Sequence, residues 1–159
     1  MLLVPLLRGA EIVVKAPFPM PAIPLPTFPD KDYLVTDFGA KEGAEEKITD
    51  ALNRAIARCH ADGGGRVVIP RGRWLTGGVR LMSRVNLHIA EGAVLEFSDD
   101  PQDYLPAVHT SWEGMECFNY APLIYAFECE DVAISGGGTL EARLGTWKKW
   151  FARPPAHIE

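Results

Sequence analysis

The sequence predicts an all-β domain of the solenoid kind, with one amphipathic α-helix on its N-terminal side. Three observations lead there. The stretch Ala51–Gly72 carries two opposite periodicities with a hard break between them at Gly63-Gly64-Gly65. Beyond Pro70 the chain is a succession of strands a few residues long, joined by turns too short to hold a crossover helix. Finally, Val85-Asn86-Leu87-His88-Ile89, a glycine and Val94-Leu95-Glu96 are echoed by Val132-Ala133-Ile134-Ser135, three glycines and Thr139-Leu140-Glu141. Such an echo is expected where every coil buries the same inward positions.

Taken in order, Pro17 to Pro29 hold six prolines and little charge, which favours extended polyproline-like structure along a surface or as a linker. Tyr33 to Ala40 reads as a short alternating strand closed by a glycine turn. Lys41 to Lys47 reads as a charged loop. A helix follows over Thr49–Ala61, because Ile48, Leu52, Ala55, Ile56 and Cys59 fall on one stripe while Asn53, Arg54, Arg58 and His60 face elsewhere. Thr49 or Asp50 is placed to cap its first turn. The glycine triplet ends it, since glycine enters the left-handed region without a Cβ penalty. Val67, Val68 and Ile69 then make a buried strand stopped by Pro70 and Gly72.

The strand rhythm continues through Arg73 to Thr76, Val79 to Leu81, Val85 to Ile89 and Ala93 to Phe97. It resumes at Leu123 to Phe127, Val132 to Ser135 and Thr139 to Ala142. Two architectures satisfy this pattern, an antiparallel sandwich or meander and a β-solenoid. The echo favours the solenoid, as does the near absence of Asn-Gly and Asp-Gly hairpin pairs. Ser98 to Ala121 interrupts the rhythm and reads as a long loop holding Tyr104, His109, Trp112, Phe118 and Tyr120. Long aromatic-bearing loops of this kind are often functional.

Composition sets the outer bounds. A chain of 159 residues with 47% hydrophobic content is long enough for one domain with a real core. Its formal charge of −5 argues against nucleic acid as a partner. Cys59, Cys117 and Cys129 have neither an even count nor zinc-ligand spacing, so they read as buried or free thiols. His60, His88, His109 and His157 are scattered without ligand spacing, and no metal or cofactor is expected. No stretch is long enough to span a bilayer. Leu2 to Leu7 is apolar but short, is interrupted by Pro5, and lacks a basic region before it, so it makes a poor signal peptide. The compartment stays open.

Several tracts together resemble the N-terminal part of glycoside hydrolase family 28, the polygalacturonase-like enzymes. They are Val35-Thr36-Asp37-Phe38-Gly39-Ala40, the helix into Gly63-Gly64-Gly65-Arg66-Val67-Val68-Ile69-Pro70-Arg71-Gly72, and Leu75-Thr76-Gly77. Val85 to Leu95, Asp100-Pro101-Gln102-Asp103-Tyr104, Trp112-Glu113-Gly114 and Tyr120-Ala121-Pro122-Leu123-Ile124-Tyr125-Ala126 continue it. Ser135 to Leu140 and the tryptophans Trp147 and Trp150 complete it, over about Phe28 to Phe151. Glu141-Ala142-Arg143 departs from the Asp-Gly pair that relatives usually carry there. The resemblance implies a right-handed parallel β-helix with an N-terminal capping α-helix, of about three coils. Residues 1–30 are then a proline-rich leader, and residues 31–159 the N-terminal part of the β-helix domain, incomplete at its C-terminal end. It also suggests secretion or a periplasmic location.

The family hydrolyses α-linked galacturonan with inversion, one carboxylic acid protonating the leaving group and other carboxylates activating water. Its functional blocks are Asn-Thr-Asp, Asp-Asp, Gly-His-Gly and Arg-Ile-Lys. Asp99-Asp100 matches the family's early turn, not its catalytic pair, and the other three blocks are not found here. No catalytic residue is therefore assigned, and the chain alone is expected to be inactive. The expected substrate-binding residues are Trp112, whose indole suits a sugar ring face, and Glu113, which suits sugar hydroxyls. Arg71, Arg73, Arg80 and Arg84 read first as a solvated face and second as cations for a polyanionic galacturonan or pectin substrate. After Leu140 no second helix with a clear apolar stripe is expected, so self-association through an open C-terminal coil is. A noncatalytic β-helix carbohydrate-binding or structural module is the alternative reading.

Overall fold

In the computed structural model the described residues are 11–152, apart from 13 and 22. The expectations for Leu2 to Leu7 and for Pro154-Pro155 lie outside them. The domain is mostly β. Three parallel sheets are visited in turn. The first holds β3 (Asp32–Leu34), β5 (Gly65–Ile69), β8 (Val85–Ile89) and β13 (Ala133–Ser135) in that spatial order. The second holds β4 (Gly43–Lys47), β6 (Gly72–Thr76), β9 (Ala93–Phe97) and β14 (Thr139–Ala142). The third pairs β7 (Val79–Arg80) with β12 (Ile124–Tyr125). Outside these lie two antiparallel pairs, β1 (Glu11–Ile12) with β2 (Ile23–Pro24), and β10 (Val108–Trp112) with β11 (Met115–Asn119).

Parallel neighbours usually need a helix to carry the chain back. Here the strands of the other two sheets do that. From β5 the chain passes through β6 and β7 before β8 lies down beside β5. The internal echo is the register of this stacking: Ala133, Ile134 and Ser135 pair with Asn86, Leu87 and His88, and Thr139, Leu140 and Glu141 with Val94, Leu95 and Glu96. One inward column therefore runs Val67, Leu87, Ile134 and another Trp74, Leu95, Leu140. The glycines of the echo are steric. A Cβ on Gly136, at φ 103°, would overlap the carbonyl of Ile89.

Helix α1 (Thr49–Ala61) buries Ala51, Leu52, Ala55, Ile56 and Cys59 in the same core as Val67, Leu87 and Leu95. Burying Leu52 and Ile56 contributes about 2 kcal/mol each. The helix stops where Gly64 N donates to Cys59 O (2.9 Å) with Gly63 and Gly64 at positive φ. Its start differs from expectation. Ile48 is the N-cap, without a side-chain cap bond, because the Thr49 hydroxyl is turned to accept from Gly77 N (2.7 Å).

Four further expectations are corrected. Tyr33 to Ala40 is not one strand. After Leu34 it closes into a 3-10 turn (Val35–Phe38), with Val35 buried and Gly39 at φ 91° ending it. Lys41 to Lys47 is not merely loop: Gly43–Lys47 pairs with β6 as an irregular edge strand, its charges suiting an edge that must not recruit another strand. Ser98 to Ala121 is not a bare loop. It contains a 3-10 turn (Pro101–Tyr104) and the β10–β11 hairpin. That hairpin turns through Glu113 (φ 50°) and Gly114 (φ 86°), the two positive φ values of a type I′ turn, with glutamate where asparagine usually stands. Lastly, a second helix does exist, α2 (Gly145–Phe151). Trp147 packs edge-on against Tyr104 (5.5 Å between centroids) and against Trp150 (5.1 Å), and Thr146 N donates to the Asp99 carboxylate (3.0 Å).

Candidate functional site: a groove along the third sheet

The third sheet is the narrowest, and a groove follows it. One cavity of about 410 Å³ is lined by Lys47, Asp50, Asn53, Arg80 and Gln102 among others. A second, of about 380 Å³, is lined by Asn53, Arg80, Leu81, Met82, Tyr125 and Phe127. A third, of about 410 Å³, is lined by His109, Ser111, Glu116, Tyr125 and Phe127 with their neighbours. Asn53 and Arg80 border the first two, and Tyr125 and Phe127 the last two. The three are thus contiguous.

Sequence explains each wall. Gly77 and Gly78 let the Pro101–Tyr104 turn come in close: a Cβ on Gly77 would stand 2.8 Å from Asp103 Cβ, and Gly78 N donates to Asp103 O (3.2 Å). Asp103 so held accepts from Lys47 Nζ (2.6 Å), while its other carboxylate oxygen is buried without a hydrogen-bond partner among the described residues. At the centre, Arg80 is exposed on β7. Its backbone N donates to Asn53 Oδ1 (3.3 Å), and its guanidinium donates to Pro106 O (3.3 Å). At the far end the Tyr125 and Phe127 rings lie parallel within 3°, 6.1 Å apart. His109 stands edge-on to Phe127 (5.5 Å) and to Phe118 (5.6 Å), and Tyr125 OH donates to His109 O (2.8 Å).

A roomier cavity, of about 600 Å³, lies beside α1 at the other end of the first sheet. Two of its cations are already spent. Lys31 Nζ (2.7 Å), Tyr33 OH (2.9 Å) and Arg58 Nε (3.0 Å) all donate to Asp62, holding that carboxyl down to about 2. The buried ionisable groups are equally committed: burial raises the Cys59 thiol to about 11, and Tyr104, also raised by burial, donates to Ser98 O (2.6 Å). Among the described residues no three His, Cys, Asp or Glu side chains converge as a metal site, and no helix is long and apolar enough to cross a membrane.

No protein-family model matches the chain. Individual proteins do. A probable polygalacturonase of Vitis vinifera is 28% identical over 125 residues, covering 74% of this chain and 26% of that protein. The hyperthermoactive exopolygalacturonase of Thermotoga maritima superposes with a TM-score of 0.70 at 41% identity, over 74% of this chain and 26% of that one. The family 28 exopolygalacturonase of Yersinia enterocolitica gives 0.63 at 30% identity, over 70% and 20%. The chain is a relative of the polygalacturonases. It spans about a quarter of their length or less.

The sequence points to Trp112 and Glu113 as the sugar-binding pair. Both sit at the β10–β11 tip, Trp112 56% exposed and Glu113 in the turn itself, one rung beyond the groove's third cavity. Of the four candidate arginines, Arg80 alone lines the groove. Arg71 lies over the Gly92 turn, and Arg84 sits at φ 65° against Gly64. Arg73 is on the second sheet, donating to Glu96 (3.1 Å) and Glu141 (3.0 Å). Buried Glu96 also accepts from Arg143 Nε (2.6 Å), and Arg143 first and Arg73 second hold its carboxyl below the usual range. The departure Glu141-Ala142-Arg143 from the family's Asp-Gly pair thus builds an ion network across β6, β9 and β14. Sequence reading missed Asn53, Tyr125 and Phe127. The one signal for the last two was their i, i+2 spacing, which puts both rings on one face of an extended segment.

Proposed function

We propose that this chain is part of a polygalacturonase-like glycoside hydrolase that cuts α-linked galacturonan with inversion. The 41% identity to an exopolygalacturonase across 74% of the chain carries the reading. Its scaffold is then a right-handed parallel β-helix, with α1 covering the N-terminal end. Supporting this, three sheets are visited in a fixed order, and the α1 stripe lies in the same core as the strands. Trp112 and Glu113 contribute contacts to the polysaccharide from the hairpin tip, and Arg80 in the groove offers a cation to its negative charge.

The carboxylate blocks the family uses are not in this sequence, and each such group is worth orders of magnitude in rate. Incubated with polygalacturonate, the purified chain should release no reducing sugar. Turnover that E113Q or D100N abolished would overturn this. Binding of galacturonan without turnover, in the full-length protein that contains the chain, would favour the noncatalytic module.

The scaffold reading also covers self-association. Ile134 and Leu140 are 48% and 44% exposed, although they sit in register on Leu87 and Leu95, both wholly buried. An inward column left open at one rung is an apolar surface with unpaired strand edges, suited to a second copy. Light scattering on a size-exclusion column should show species heavier than 17.5 kDa. A monomer at all concentrations would contradict it.

A further inference from the structure

We propose that the groove over β7 and β12 is the path of an acidic oligosaccharide on this chain, with Arg80 reading a uronate carboxylate and the Phe127–Tyr125 rings carrying a neighbouring sugar. This rests on the galacturonan reading above and names the residues of that site.

Charge singles out Arg80. The chain is acidic overall, so a polyanion needs a local cation to settle on it. Lys47, the lysine that lines the groove beside Arg80, is engaged by Asp103 at 2.6 Å. Arg80 enters no ion pair among the described residues, and its guanidinium bond to Pro106 O leaves further donors facing the groove. A guanidinium presents a planar fork that matches a carboxylate. Asp50 also lines this end. It would repel a carboxylate placed beside it, which assigns the acid function to the Arg80 stretch and leaves Asp50 to accept from hydroxyls.

The aromatic end supplies the second half. Phe127 is 48% exposed, backed by Tyr125 and flanked by His109. A half-exposed ring held between two aromatic neighbours can serve as a platform for the apolar face of a sugar. Ser111 in the same cavity can serve the equatorial hydroxyls. Glu116, 3.9 Å from His109 Nε2, can accept from hydroxyls too but, like Asp50, would repel a carboxylate placed beside it. Alternating cation and platform along one groove suits a ligand that alternates acid groups and ring faces.

The test titrates the full chain with trigalacturonate and with its methyl ester, which keeps the rings and removes the charge. Wild type should bind the acid about tenfold tighter than the ester. R80Q should lose that preference and bind both alike. F127A should weaken both ligands, and the preference should shrink as salt rises. Near-UV circular dichroism of R80Q should match wild type, since the side chain is exposed. R71Q, which lies off the groove, should keep the preference. An R80Q chain that still prefers the acid, or an F127A chain that binds like wild type, overturns the proposal while leaving the galacturonan reading standing. A wild-type chain that binds neither ligand overturns both.

Discussion

Arg73 and Arg80 stand on consecutive strands, seven positions apart, and meet opposite fates. Arg73 on β6 is closed between Glu96 and Glu141, with Arg143 completing the network. Arg80 on β7 faces an open groove with a backbone carbonyl for company. The same residue type thus serves as mortar on one sheet and as a reading head on the next. Stacked parallel strands put equivalent residues one above another. Carboxylates on the next strand and the one beyond, as Glu96 on β9 and Glu141 on β14 are to Arg73, neutralise an arginine in place. On the third sheet the positions paired with Arg80 belong to an aromatic segment, Tyr125 and its neighbours, so the charge is left for a ligand.

The largest effect that would break this contrast is on stability. E96Q should cost about 1–2 kcal/mol, because a buried acceptor of two charge-assisted hydrogen bonds loses its charge. Chemical denaturation checks it. The pH dependence sharpens it. Glu96 has a folded value below its ordinary 4.5, so its contribution is present above that value and is lost as pH falls through the folded one. The gap between wild type and E96Q should be full at neutral pH, begin to shrink below about 4.5 and close only once pH has fallen past the lower folded value. A gap that persisted in acid would mean that shape, not charge, holds β9 to its neighbours. R73Q should lose less, since Glu96 keeps Arg143. R80Q should leave thermal unfolding where it is.

Much of this fold was legible because local and repeated signals agree. The helix Thr49–Ala61 and the strands Val85–Ile89, Ala93–Phe97 and Thr139–Ala142 carry their own periodicity. The echo between the runs beginning at Val85 and Val132 was itself the pairing register. The hairpin escaped because Glu113 adopts a backbone conformation that glutamate rarely takes, and β4 because its charges look like loop. The groove escaped for a different reason. Asn53, Arg80 and Phe127 meet only after the helix and two circuits of strand are in place, and no single window of sequence contains them. Arg80 could be named from charge alone, but not told apart from Arg73 until their neighbours were known.

The most direct measurement sets those two arginines side by side. Trigalacturonate is titrated into R73Q and R80Q chains, with both confirmed folded by circular dichroism. The structure predicts that R73Q keeps wild-type affinity while R80Q binds about tenfold more weakly. Equal losses in both variants, or a loss in R73Q with R80Q unchanged, would contradict it.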